Sequence, residues 1–208
     1  MEDSATAARL TPLGLMVLAL LGEGDMHPYE MIRLMRFRRN DRLVAITNGT
    51  VYHTVGRLER AGLVAEVGVD REGNRPERTT YRLTDAGSRA VREWVRRELA
   101  QIDRPADFRI ALAEAHNLER DDVIVLLSQR RVALAASHLE HADGRRGARA
   151  KGVPAQYLLE LEREETLLGA DVAWLDALIQ RLEREEFPWG DDEPPTDRYL
   201  AQRKAARQ

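Results

Sequence analysis

The stretch Thr47-Asn48-Gly49-Thr50-Val51-Tyr52-His53-Thr54-Val55-Gly56-Arg57-Leu58-Glu59-Arg60-Ala61-Gly62-Leu63-Val64 decides the fold. Thr47 is an N-cap candidate, and Gly62 supplies the stop. Between them Val51, Val55 and Leu58 recur at i, i+4 and i+7, the spacing of one buried helix face. That placement leaves Asn48, Thr50, His53, Thr54 and Arg57 pointing outward. After the stop, Leu63, Ala65, Val67 and Val69 alternate with Glu66 and Gly68, so the period changes from helix to strand. Asp70 to Arg78 is a polar turn with Gly73, Asn74 and Pro76, and Thr79 to Leu83 reads as the return strand.

Working outward, Thr11 and Pro12 open an earlier helix whose residues Leu13 to Leu21 are apolar on nearly all sides, as in a helix buried all round. Gly22-Glu23-Gly24 ends it. This is a helix stop, not a phosphate cradle, because no strand precedes it. A second helix runs from about Pro28 to Arg38 with Tyr29, Ile32 and Met35 on one face. Thr84 caps a fourth, reaching about Leu99, with Val91, Trp94, Val95 and Leu99 on its stripe. Three helices, a two-stranded hairpin and a helix is the order of a winged helix-turn-helix, with the third helix offered to a major groove.

The charge balance bears on that assignment. The 208 residues carry 32 basic and 35 acidic side chains, a net −3 that argues superficially against a polyanion partner. By halves the picture changes: residues 1–100 hold 16 arginines against 14 acids, and residues 101–208 hold 16 basic against 21 acidic. The front half is +2 and the rear −5, which places a nucleic-acid surface in the front half. Cysteine is absent, which removes disulfides, thiolate metal sites and a thiol nucleophile. The longest apolar run, Leu13 to Leu21, is less than half of the ~20 residues a membrane span needs and lacks a basic flank of a secretion signal. A cytoplasmic protein with no membrane partner is the expectation. No Ser-His-Asp order, phosphate loop or His-Glu-x-x-His motif is present, so no enzyme and no cofactor is expected. His138 and His141 lack a third placed ligand, so no metal site is expected either.

The remainder is expected to be all helical. A short helix covers 106–116 and a longer one about Arg120 to His141, followed by a basic, glycine-punctuated linker from Gly144 to Gly152. Pro154 opens a last helix to about Glu186. Leu161, Leu168, Leu175 and Leu182 recur every seven residues, and Leu158, Val172 and Ile179 form a second series interrupted by Glu165. Two such series form a helix–helix seam. At roughly 32 residues this helix would span about 48 Å, too long for a small domain to cover alone, which points to a dimer. Leu161, Leu168, Val172, Trp174, Leu175, Ile179 and Leu182 are the candidate interface. The divisions expected are a winged helix over 1–100, a helical dimerisation domain over 101–186 and a loose tail over 187–208.

Four blocks of the front half resemble the PadR family of transcriptional regulators: Leu13 to Leu21, His27-Pro28-Tyr29-Glu30-Met31, the run Asn48 to Val64, and Thr80-Tyr81-Arg82-Leu83-Thr84-Asp85-Ala86-Gly87. The run Gly49 to Leu63 is close to the family pattern G-[ST]-[LV]-Y-x-x-[LV]-x-R-L-E-x-x-G-L. One departure is Pro28, where the family usually has glycine. A proline at a helix start is compatible with the fold. The resemblance implies a homodimeric repressor on a palindromic operator in double-stranded DNA, released by a small-molecule effector or another signal. It also implies a backbone contact for Tyr52; for Trp94 core packing is the favoured reading, and effector contact, from the position of the family's cavity, is the alternative.

The candidate DNA contacts are Asn48, Thr50, Tyr52, His53, Thr54 and Arg57 on the third helix, with Arg57 suited to guanine. Arg38, Arg39 and Arg42 after the second helix, and Arg71, Arg75 and Arg78 on the wing, are the candidate phosphate contacts. The competing interpretation is a winged-helix module that reads a protein and not DNA. Between Thr50 and Arg60, however, His53, Arg57 and Arg60 stand against Glu59 alone, and that positive face favours DNA.

Overall fold

A computed structural model describes residues 10–70, 78–190 and 197–207. Helix α1 (Pro12–Gly22) is capped by Thr11, whose hydroxyl accepts from the Gly14 amide at 3.2 Å, and it buries Leu15, Met16, Val17, Leu18, Leu20 and Leu21. Around it lie α2 (Pro28–Phe37) and α3 (Asn48–Arg60). Strands β1 (Val64–Asp70) and β2 (Arg78–Leu83) form an antiparallel hairpin, Val64 opposite Leu83, with a register shift between Glu66 and Gly68. The fold is the expected one: mainly helical, a winged helix-turn-helix with a two-stranded wing, followed by an all-helical region.

Helix α4 (Asp85–Ala100) is shared by the two regions. It packs on α1 in front and on α5 (Pro105–Ala113) and α6 (Arg120–Ala150) behind. Its start is fixed by Thr84, whose hydroxyl donates to the Gly62 carbonyl at 2.8 Å and accepts from the Gly87 amide at 3.0 Å. Gly87 has no room for a side chain: a Cβ there would lie 2.2 Å from the Leu63 carbonyl oxygen and 2.6 Å from Leu83 Cδ1. Helix, wing base and the end of α3 therefore meet at one point. At the other end of α4, Arg130 of α6 is 3 % exposed, donates to the Gln101 carbonyl and lies 3.6 Å over the Phe108 ring of α5. Burial lowers the pKa of this guanidinium.

The rear half departs from expectation in three places. Helix α6 does not end near His141 but runs through Gly144 and Gly147 to Ala150, and the chain turns at Gly152, where φ is +77°. The glycine cost to the helix is offset by cross-helix pairing. Arg145 grips Glu165 through two hydrogen bonds of 2.5 and 2.9 Å, and Arg149 faces Glu162 at 3.8 Å. Second, α7 (Leu159–Glu183) folds back antiparallel on α6, and a further pair, Arg131–Asp176 at 2.8 Å, joins the arms. The heptad seam assigned to a second copy is thus used within the chain. Leu168, Leu175 and Leu182 are buried in the same core as Leu127 and Leu134 of α6, Leu161, Val172 and Ile179 are half-buried, and Trp174 is left 45 % exposed. Heptad spacing marks a helix face that needs a helical partner, and α6 supplies it. Third, the tail is not all loose: α8 (Asp197–Arg207) packs on α2.

Two substitutions check these placements. Gly87→Ala should destabilise by about 3 kcal/mol or more, because the obstacle is backbone. An unchanged denaturation midpoint would contradict the seating of α4. Gly144→Ala, with nothing within 4 Å of its Cβ, should stabilise by up to ~1 kcal/mol if α6 is continuous and be neutral in a linker.

Candidate nucleic-acid interface

The third helix is started by reciprocal threonines. Thr47 Oγ1 accepts from the Thr50 amide at 3.2 Å and Thr50 Oγ1 accepts from the Thr47 amide at 3.1 Å, a capping box built with threonine at both ends. Thr50 is exposed, but this cap engages its hydroxyl. Along the helix Val51, Thr54, Val55 and Leu58 are buried. Thr54 was expected outward. At 7 % exposure it belongs instead to the core stripe, because i+3 from Val51 is as much part of that face as i+4. What remains outside is Asn48, Gly49, Thr50, Tyr52, His53, Arg57 and Arg60. Arg60 folds back to its own helix, Nε donating to the Gly56 carbonyl at 3.0 Å, which leaves Arg57 as the extended cation on the face.

Gly49 and Gly56 are seven residues apart on this outer side. Among the described residues nothing outside the helix's own backbone lies within 4 Å of where either Cβ would be, so packing against those residues does not explain them. Glycine within a helix weakens it, and at a surface it lets another backbone approach closely. Tyr52 is 47 % exposed and meets the edge of the His27 ring at 6.1 Å. His27 in turn caps α2, its Nδ1 accepting from the Tyr29 amide at 3.0 Å. The recognition-helix candidate is therefore joined to the start of α2 by a ring contact as well as by the shared core.

The wing is tied to the segment before α2. Met26 bridges Tyr81, and Arg82 holds Asp25 through hydrogen bonds of 3.0 Å from Nε and 2.6 Å from Nη2. Those bonds keep the Asp25 carboxyl below the usual carboxylate range. The tie is present above the ordinary carboxylate pKa and is lost as pH falls through the lowered value. Arg71 and Arg75 lie outside the described residues. Arg78 begins β2 opposite Asp70.

The cluster after α2 divides. Arg39 takes a left-handed backbone, φ 57°, with its side chain 69 % exposed beside Asp41 at 3.4 Å, and Arg42 Nε donates to the Arg39 carbonyl at 3.1 Å. Arg38 turns the other way. It grips Glu23 through hydrogen bonds of 2.5 and 2.9 Å and lies 5.1 Å over the ring of Tyr199 from α8. The sequence reasoning that grouped Arg38 with its neighbours could not see this, because its partners are 15 and more than 150 residues distant.

Trp94, the effector candidate, is 1 % exposed and sits in the core. A cavity of about 1020 Å³ opens nearby, lined by Leu18, Glu23, Val91, Arg92, His116 and Arg120 among others and walled by Trp189 and Tyr199 of the tail. No single segment signals it, because five separate stretches of chain meet there. His138 packs against Gly169 of α7, and His141 Nδ1 donates to the Ser137 carbonyl at 2.8 Å. No group of three metal-ligating side chains converges among the described residues. Nor is any helix of these residues long and apolar enough to cross a membrane.

Residues 17–93 match the model of the Transcriptional regulator PadR-like family. No curated protein matches the chain. Among solved structures, similarity is found to Bacillus subtilis PadR in complex with operator DNA, at 16 % identity and TM-score 0.39, covering 82 % of this chain and 98 % of that one. It is also found to smu.1604c from Streptococcus mutans UA159, at 18 % identity and TM-score 0.38, covering 83 % and 96 %. The complex of Bacillus subtilis PadR with p-coumaric acid is similar at 16 % identity and TM-score 0.35, covering 83 % and 99 %. Over residues 17–93, which span the winged helix at the front of this chain, the similarity is to the PadR-like family of transcriptional regulators.

Proposed function

We propose that the protein is a dimeric, sequence-specific DNA-binding repressor that leaves its operator when a small molecule occupies the interdomain cavity. The observation that carries the DNA part is the outer face of α3. Asn48, Tyr52, His53 and Arg57 stand out from a helix whose opposite side is buried, and Gly49 and Gly56 leave that face shallow. Arg57 suits guanine O6 and N7, Asn48 suits adenine or a phosphate, and Arg39 and Arg42 flank the helix as phosphate contacts. A palindromic site would take two such helices about 34 Å apart.

The dimer is supported by apolar positions that the helical hairpin does not cover itself. Val125, Val132 and Leu139 on α6 are 54 %, 64 % and 63 % exposed at seven-residue spacing, and Leu167 and Trp174 on α7 are 43 % and 45 % exposed at the same spacing. A second copy would cover these stripes, so Trp174 keeps its interface role while the buried leucines support the hairpin beneath. The cavity supports the signal. It touches α1 and α4 on the winged-helix side and the start of α6 on the other, so an occupant contacts both regions at once.

Binding to a fragment of the protein's own promoter should weaken steeply with salt, and Arg57→Ala should cost about 1–3 kcal/mol of specific affinity. No salt-dependent protected site would favour a module that reads protein. Gly56→Ala separates recognition from folding: it should raise the melting temperature slightly yet weaken DNA binding, because only the outside surface uses that space. Sedimentation should give a dimer at micromolar concentration, and the pair Val132→Asp with Trp174→Asp should give a folded monomer. A wild-type monomer would remove the dimer from the proposal.

A further inference from the structure

We propose that the C-terminal helix α8 is an intramolecular latch on the helix-turn-helix, and that while it is seated it withholds Arg38 from DNA. The proposal rests on the DNA-binding role proposed above.

The contact is built from charges. Glu30 of α2 is 8 % exposed, and the cations that meet its carboxylate come from α8: Arg207 Nε at 3.2 Å and Arg203 Nε at 3.8 Å. Glu23, at the end of α1, is the common point. Arg38 forks onto both of its carboxylate oxygens, Tyr199 donates its hydroxyl to Oε2 at 2.7 Å, and Arg203 reaches its backbone carbonyl at 3.3 Å. Tyr199, Arg203 and Arg207 recur every four residues, so one face of α8 carries all three partners. Ala206, 1 % exposed, presents a small side chain where α8 meets the core, and Leu200 is turned out at 53 %.

Arg38, Arg39 and Arg42 form one basic run, yet the Arg38 side chain is 22 % exposed against 69 % for Arg39. A guanidinium forked onto a carboxylate and covered by a phenol ring has its charge paired and its position fixed, so it reaches a phosphate only by leaving that site. The fork itself is made by Glu23; α8 locks it by laying the Tyr199 ring over Arg38 and by bonding Glu23 through Tyr199 and Arg203, and in this way seating α8 subtracts one cation from the DNA-facing set. The outer cation of the seat, Arg207, is 63 % exposed, while Arg203 and Glu30 are about a tenth exposed, so the seat is an ionic contact at the edge of the core that can open without unfolding what lies behind it. Two of its members, Glu23 and Tyr199, also line the cavity. The cavity wall is complete only with Tyr199 in place. A molecule that fills it selects the closed latch, and this links occupancy to loss of a phosphate contact.

The test uses the full chain and the variant Arg203→Ala/Arg207→Ala/Glu30→Gln, which opens the latch without leaving a buried carboxylate unpaired. Hydrogen exchange is read first, without DNA. Amides of 197–207 should be protected in the wild type and lose protection in the variant. On promoter DNA the variant should bind more tightly, with a salt slope steeper by about 0.9, the signature of one added phosphate contact. Arg38→Ala should change wild-type affinity by less than about twofold but cancel the gain in the variant, a non-additive cycle. Equal losses from Arg38→Ala in both backgrounds, or unchanged or weaker binding by the variant, overturn the latch alone. Unprotected amides over 197–207 in the wild type do the same. Absence of DNA binding by every protein overturns the DNA role together with the withholding.

Discussion

The approach of α4 to the Leu63 carbonyl is the constraint on which the arrangement depends. One helix serves as the last element of the winged helix and the first support of the helical hairpin, so its first turn sets the relation of two functional regions. Only a residue without a Cβ fits at position 87, and the Thr84 hydroxyl fixes the same turn by bonding in both directions, to Gly62 and to Gly87. The end of α3, the wing base and α4 are thereby held within one hydrogen-bonded junction. At its far end the same helix meets Arg130, whose burial against Phe108 and hydrogen bond to Gln101 tie the hairpin to it. The cavity lies against the middle of α4, at Ser88, Val91 and Arg92, between these two fixed ends.

Charge follows the same division of labour. The formal −3 of the chain has little meaning as an average. Many arginines are committed to acids: Arg131, Arg145 and Arg149 join the hairpin arms, Arg82 ties the wing, and Arg203 and Arg207 seat the last helix. Those arginines act as cross-links, and the abundance of arginine over lysine suits bidentate pairing of this kind. On the front half Arg57 stands exposed on α3, and Arg39 has only the exposed Asp41 beside it. A count of residues cannot distinguish a spent guanidinium from an available one, whereas a contact can.

The front half was legible because its signals are local. Caps, stops and the change of period from Leu58 to Val67 each depend on neighbours within a few residues, and α3, the wing and α4 begin and end close to where those signals place them. Thr54 was misplaced because a threonine is compatible with either face, and only the packing of α1 and α2 decides. The rear half was less legible because its signals are relational. The leucines of α7 announce a seam without naming the partner, and the partner proved to be the preceding helix. Gly144 and Gly147 looked like a break because the arginines that hold the helix together answer to acids on the opposite arm. The stretch from Tyr199 to Arg207 has helix-forming composition and a four-residue rhythm, yet its purpose depends on Glu23 and Glu30 at the other end of the chain.

The hairpin has one more consequence. Its arms are joined by three ion pairs, and a tilt of the pair as one body would turn about the buried Arg130, three turns into α6. The end of α6 at Ala150 lies roughly 30 Å beyond that pivot, so a tilt of ~5° at Phe108 displaces the tip by ~2.6 Å. A displacement of a few tenths of an ångström beside the pivot becomes one of a few ångströms at the far end. The hairpin is a lever arm with its fulcrum next to the winged helix, and its mechanical advantage is set by the length of uninterrupted helix that two glycines were expected to break.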